Sequence, residues 1–219
     1  KWYYEVETTD IGSHSSHFVT ALTDANWPMA FTGNSHGYNG GNLAWTIMSD
    51  GNMFHGLAGA GGDSNQADYS GSNSFQVADG DIMMMALDMD NGKFWLGKNG
   101  TWWNTNAGTA NPATGANAGI TNLFTEGVTD CLVGFGHYGS SDRVYQVNFG
   151  NPTFTISSGN ADANGYGNFE YAPPSGFYAM CSKNFAEFDP PAANDPSKYF
   201  QTDMFKATSG GGDAAVFDG

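Results

Sequence analysis

Glu5 and Glu7 stand two residues apart in Trp2-Tyr3-Tyr4-Glu5-Val6-Glu7-Thr8. On a strand that spacing puts both carboxylates on one face, about 7 Å apart. Paired carboxylates are what glycoside hydrolysis uses, one as acid and the other as base or nucleophile. A hydrolase would also need a cleft of aromatic rings over the pair. The alternation instead turns Trp2, Tyr4 and Val6 inward and leaves Tyr3, Glu5 and Glu7 facing water, so both carboxylates read as surface groups. His14 and His17, three apart, suggest two metal ligands, with His36, His55 or His137 as a third. Such a pair ligates from a helix or tight turn and needs company from Cys, His or carboxylates, which its surroundings lack, so no metal is expected. Asp88, Asp90 and Asn91 suggest a calcium loop, but the spacing stops at Gly92 without a downstream bidentate Glu, and a turn is expected. Gly59-Ala60-Gly61-Gly62-Asp63 lacks the Lys of a phosphate loop, and no Gly-x-Ser-x-Gly elbow occurs. The expectation is a chain with no catalytic residues and no cofactor. Asn99-Gly100-Thr101 fits a glycosylation acceptor, yet the same residues fill a hairpin turn, which is reason enough for them.

The loop aromatics are more informative. Trp27 and Tyr38 fall in one long loop, Trp102 and Trp103 open another, and His137 and Tyr138 close a strand beside Gly139. Rings flanked by Asn, Asp and Gln suit sugar rings or flat peptide surfaces, because the ring stacks on apolar faces while amides take up hydroxyls. These six residues are the candidate ligand-binding set. Alternation turns one of Trp102 and Trp103 into the core, and Trp27 before Pro28 could simply pin its own loop.

The elements that must hold these residues are strands. Period-two alternation dominates, and no window of a dozen residues keeps a helical apolar stripe. Strands are expected at Trp2 to Thr8, Phe18 to Leu22, Leu43 to Met48 and Asn52 to His55, the last two joined through Asp50-Gly51. From Asp79 to Trp102 the sequence predicts a meander of three strands divided by Asn91-Gly92 and Asn99-Gly100. Residues 104 to 119 read as a functional loop. Further strands are expected at Cys131 to Tyr138, Val144 to Phe149 and Tyr178 to Cys181, with a Gly and Asn loop over 157 to 168. The fold class is therefore all-β, an antiparallel two-sheet sandwich of roughly ten or more strands. A boundary falls near Phe185, separating a domain over 1–185 from an extended arm over 186–219 that begins with Asp189-Pro190-Pro191 and carries Gly210-Gly211-Gly212.

Composition sets the outer bounds. The 219 residues carry 7 Lys plus Arg against 22 Asp plus Glu, a formal charge of -15, with Arg143 the single arginine. A chain so poor in cations cannot release the counterions of a phosphate backbone or dock on an anionic membrane, so neither nucleic acid nor membrane insertion is expected. Aromatics at 15% argue against disorder despite 31 glycines. Cys131 and Cys181 sit in apolar runs and read as buried free thiols rather than a bridge, leaving the redox compartment open. The chain opens on Lys1 inside a strand pattern, which suggests a processed product or a segment of a longer polypeptide.

Several strings together resemble a known family. Asp79-Gly80-Asp81, then Ala86-Leu87-Asp88-Met89-Asp90-Asn91-Gly92-Lys93 and Lys98-Asn99-Gly100-Thr101-Trp102, look like the core of SPRY domains. Lys1-Trp2-Tyr3-Tyr4-Glu5-Val6 is similar to that family's first strand, Val147-Asn148-Phe149-Gly150 to its penultimate one, and Pro173-Pro174-Ser175-Gly176-Phe177 with Ala179 and Cys181 to its last. Asn111-Pro112-Ala113-Thr114-Gly115 and Asp195-Pro196-Ser197-Lys198-Tyr199-Phe200 resemble, more narrowly, SPRY modules of tailed-bacteriophage fibre or tail proteins. The resemblance implies a bent, jelly-roll-like sandwich without catalytic residues, whose loops bind partners. It implies a virion-surface, extracellular place, with host-surface glycan or protein, other virion proteins or further copies of the chain as partners. A cellular peptide-binding adaptor and a sandwich lectin or glycosidase are the alternatives. Met83-Met84-Met85 departs from the family, which more often has small or β-branched residues there.

Overall fold

The computed structural model describes residues 1–10, 18–24, 44–48, 53–56, 76–104, 108–121, 123, 131–134 and 144–185. Among them the chain is all-β, with short 3-10 turns at Pro112–Thr114 and Ser182–Asn184 and no α-helix. The strands are β1 (Trp2–Asp10), β2 (Phe18–Asp24), β3 (Ala44–Met48), β4 (Met53–Gly56), β5 (Ile82–Asp88), β6 (Lys93–Lys98), β7 (Thr101–Trp102), β8 (Cys131–Gly134), β9 (Val144–Asn148) and β10 (Tyr178–Ala179). One sheet is six-stranded and runs β10-β1-β5-β6-β7, with β9 also paired to β1; the other is four-stranded and runs β4-β3-β2-β8. Strands β9 and β10 divide one edge of β1 between them, β10 at Trp2 and Tyr3 and β9 from Glu5 onward. Antiparallel pairing holds except between β1 and β10, which are parallel, a correction to the uniformly antiparallel expectation.

The meander forms where the sequence predicts it. At its second turn Asn99 and Gly100 take φ values of 49° and 83°, the left-handed pair that a two-residue hairpin needs and that Asn and Gly adopt at least cost. The Asn99 carboxamide then secures the turn, accepting from the Ile82 N–H at 2.9 Å and donating to Asp81 at 2.6 Å.

The six-stranded sheet is buried on both faces. Tyr4, Val6, Met83, Met85, Leu87, Phe94, Leu96 and Trp103 form the core of one face, joined by Cys131 and Val133 of β8 and by Tyr145 and Val147 of β9. Tyr3, Met84, Ala86, Trp95, Phe169, Phe177 and Ala179 form the core of the other. Two covered faces account for Met83-Met84-Met85: an inner strand with no solvent side reads as a continuous apolar run, and flexible thioethers fill whatever gaps either face leaves. Each such buried side chain contributes roughly 1.5–3 kcal/mol.

The second face is covered by irregular chain. Residues 108–120 fold back along β6: Asn111 bridges to Ala116, Phe94 bridges to Ile120, and the Trp95 indole N–H donates to the Ala116 carbonyl at 2.9 Å. The Asn111-Pro112-Ala113-Thr114-Gly115 string is thus a tight turn, its Asn111 side chain accepting from the Thr114 N–H. Much of the segment read as an open functional loop is structural cover. The arm over 186–219 lies outside the described residues.

Candidate functional site

Glu5 does not face water. It is fully buried, and its two oxygens receive four donors. Oε1 accepts from the Tyr3 hydroxyl at 2.9 Å and the Tyr171 N–H at 2.8 Å, while Oε2 accepts from the Glu170 N–H at 3.0 Å and the Asn148 Nδ2 at 3.2 Å. Solvation was expected because alternation along β1 shows which side chains share a face; it does not show that residues 154–181 cover the polar one. Burial raises the Glu5 carboxyl above its ordinary range, and the four donors oppose that rise. Burial, and then the neighbouring Glu5, raise the Tyr3 phenol well above its ordinary value. Glu7 is half-buried and accepts from the Gln146 side chain at 2.8 Å. The carboxylates therefore differ in role: Glu5 joins β1, β9 and the covering segment, and Glu7 joins β1 to β9.

Asp88 serves the turn that the sequence suggested. Its Oδ1 accepts from the N–H groups of Asp90 and Asn91, and its Oδ2 accepts from the Asn91 amide at 2.9 Å and pairs with Lys1 Nζ at 2.9 Å. Burial pushes this carboxyl up, but the Lys1 ammonium and the Asn91 donors outweigh it and hold Asp88 below the ordinary carboxylate value. Asp162, which sequence reasoning passed over, plays a similar part in the cover. It accepts from the N–H groups of Asn164, Tyr166 and Ala179 and from the Asn184 amide, and it too is held low against the opposing effect of burial. The spacing of Asp162 and Asn164 beside Gly165 is a turn signal that could have exposed it.

The aromatic candidates separate. Trp103 is only 2% exposed and lies in the core of the first face, so its ring is not offered to a ligand. Trp102 is half-buried on the opposite face, its ring edge-on to Tyr3 at 6.4 Å between centroids. Alternation divides the two as expected. Trp27, Tyr38, His137 and Tyr138 lie outside the described residues, as do His14, His17 and His36. Among the described residues no group of three or more His, Cys, Asp or Glu could hold a metal ion, and no helix is long and apolar enough to cross a membrane. Cys131 and Cys181 are half-buried, not bridged to each other, and pack on opposite faces of the six-stranded sheet.

The class that these observations define is an all-β chain whose buried acids brace its strands and cover. Neither a protein-family model nor a curated protein matches it.

Proposed function

We propose that the chain is a non-enzymatic recognition and structural module of a phage virion, part of a fibre, tail or capsid-surface appendage. It binds host-surface glycan or neighbouring virion proteins through loop aromatics. Its architecture is a SPRY-like, bent two-sheet sandwich, with the four-stranded sheet laid through β8 against the first face of the six-stranded one.

One observation carries this. The strings that resemble SPRY domains are scattered from Lys1 to Cys181, yet their strands β1, β5, β6, β7, β9 and β10 are neighbours in a single sheet. Their meeting in one sheet supports reading them as parts of a single fold. A binding role is favoured over hydrolysis because Glu5, one half of the only carboxylate pair that suggested chemistry, already has four structural donors and no exposure.

Mass spectrometry of purified virions tests the proposal, and should find this chain among the structural proteins. Its absence from the particle would sink the virion assignment. Copies on a particle would multiply weak single contacts into stable attachment.

A further inference from the structure

Gly97 of β6 and Gly100 of the turn that follows it leave room for a ring each on the β6-β7 hairpin. A Cβ on Gly97 would come within 3.1 Å of the Trp102 indole, and a Cβ on Gly100 within 3.0 Å of the Tyr171 ring. Both rings are half-buried, and both pack on the core of the second face. They also meet the same buried residue from two sides. Trp102 sets its ring edge-on to Tyr3 at 6.4 Å between centroids, and the Tyr171 N–H shares Glu5 Oε1 with the Tyr3 hydroxyl. One face of the hairpin therefore carries two rings, Trp102 from β7 and Tyr171 from the covering chain.

The tips of these rings are polar and open. Among the described residues neither the Trp102 indole N–H nor the Tyr171 hydroxyl has a hydrogen-bond partner, and neither atom is buried. Burial, and then the carboxylates of Glu170, Glu5 and Asp81, raise the Tyr171 phenol above its ordinary value, which keeps it an O–H donor. Of those carboxylates Asp81 and Glu170 are half-buried, and both are fixed in place. Asp81 accepts from the Asn99 amide of the same turn at 2.6 Å, and Glu170 accepts from the Ser157 N–H at 2.6 Å.

We infer that this face of the β6-β7 hairpin is a binding site for neutral carbohydrate, with Trp102 and Tyr171 supplying rings for the sugar's apolar face while the indole N–H and phenol O–H meet its hydroxyls. The inference rests on the recognition function proposed above and gives it a location. The nearest rival ligand is a proline-rich peptide, which also lies on aromatic rings and takes donors at its carbonyls. The carboxylates beside Tyr171 decide between the two. Asp81 and Glu170 can accept from sugar hydroxyls, but they repel peptide carbonyls, and proline has no N–H to offer them. Strand addition is disfavoured because β7 presents only two residues, Thr101 and Trp102. An anionic sugar is disfavoured by the same carboxylates, since the nearby Lys98 ammonium is already paired with Asp81 at 3.3 Å.

The test uses the full 219-residue chain on an array of neutral hexose and N-acetylhexosamine oligosaccharides, with sialylated and sulfated counterparts and a proline-rich peptide alongside. Neutral saccharides are expected to bind, and hits are then titrated against variants. Trp102→Ala and Tyr171→Ala should each weaken binding about tenfold, as loss of one aromatic stacking partner implies. Tyr171→Phe removes only a hydroxyl that no described residue engages, so it should fold as the parent does and bind about fivefold more weakly. It decides the matter if the alanine variants fail to fold. Val144→Ala on β9, across β1 and β5 from the hairpin, should bind as the parent does. Undiminished binding by the Trp102 and Tyr171 variants would overturn the site while leaving glycan recognition standing elsewhere on the chain. Exclusive binding of anionic saccharides or of the peptide would overturn the ligand. Silence across the array would remove both site and ligand, and the virion assignment would still be judged separately, by the composition of the particle.

Discussion

Glu5 illustrates how little a side chain's type says about its role. It was suggestive as half of a carboxylate pair, and it is instead the point at which β1, β9 and the backbone of Glu170 and Tyr171 are tied together. Truncation would take the acceptor away from the buried Tyr3 hydroxyl and from the N–H groups of Glu170 and Tyr171, each loss costing about 1–3 kcal/mol. Glu5→Ala should therefore lose about 3 kcal/mol or more in urea unfolding, whereas half-buried Glu7→Ala should cost about 1 kcal/mol. A comparable loss in the two variants would show that the Glu5 network is not what holds the cover. Asp88 makes a pH prediction. Its folded-state carboxyl lies below the ordinary 3.8, so the stability it contributes is complete above that value and is lost as pH falls through the lower, folded one. Asp162 adds to the same window. Thermal midpoints should fall steeply below about pH 4, and Asp88→Asn, which keeps an acceptor for the turn but removes the charge facing Lys1, should be less stable at neutral pH and flatter across the acid range. Identical acid slopes in parent and variant would contradict this.

Strands and turns were legible in the sequence to different degrees, for physical reasons. The β5-β6-β7 meander could be read because Asn-Gly turns specify both the reversal and the register, and the observed φ angles at Asn99 and Gly100 are those the turn demands. The two residues of β10 carry too little pattern to announce a partner, so their parallel pairing with β1 was not foreseen. Covering chain is harder still, because residues 108–121 and 150–185 have no period and are held by side-chain bonds to backbone that only the folded arrangement brings within reach. This is why Glu5 was misplaced and why Asp162 went unnoticed. Four of the six candidate aromatics, Trp27, Tyr38, His137 and Tyr138, lie outside the described residues; of the other two, strand alternation foretold that one would turn inward. The close packing at Gly167 gives a prediction at this scale. Gly167→Ala meets both a φ of 93° and the Phe169 ring, while Gly80→Ala meets a φ of 84° in open space. Gly80→Ala should cost about 1–2 kcal/mol from the left-handed backbone alone, and Gly167→Ala distinctly more, as two thermal midpoints would show. Equal losses would mean that Gly167 is not tightly packed.

For the whole molecule the net charge of -15 argues against polyanionic partners more than it points to any one. Of its few cations, Lys1 and Lys98 are paired with Asp88 and Asp81, and Lys93 is bound to the Gly115 carbonyl. Like-charged copies should repel at low ionic strength, and salt should relieve that repulsion. Sedimentation is expected to show self-association strengthening as salt is raised, and salt-independent behaviour would count against a contact between acidic surfaces. The pairing of β1 with β10 has a mechanical consequence. Because the two strands run parallel, tension drawing Lys1 one way and Phe185 the other loads their hydrogen bonds in shear. β1 would also have to slide past β5 and β9 at the same moment, since it is bonded to all three strands. Bonds that must break together resist a pull better than bonds that open one at a time, so a sheet threaded in this order suits a chain that bears load along its length.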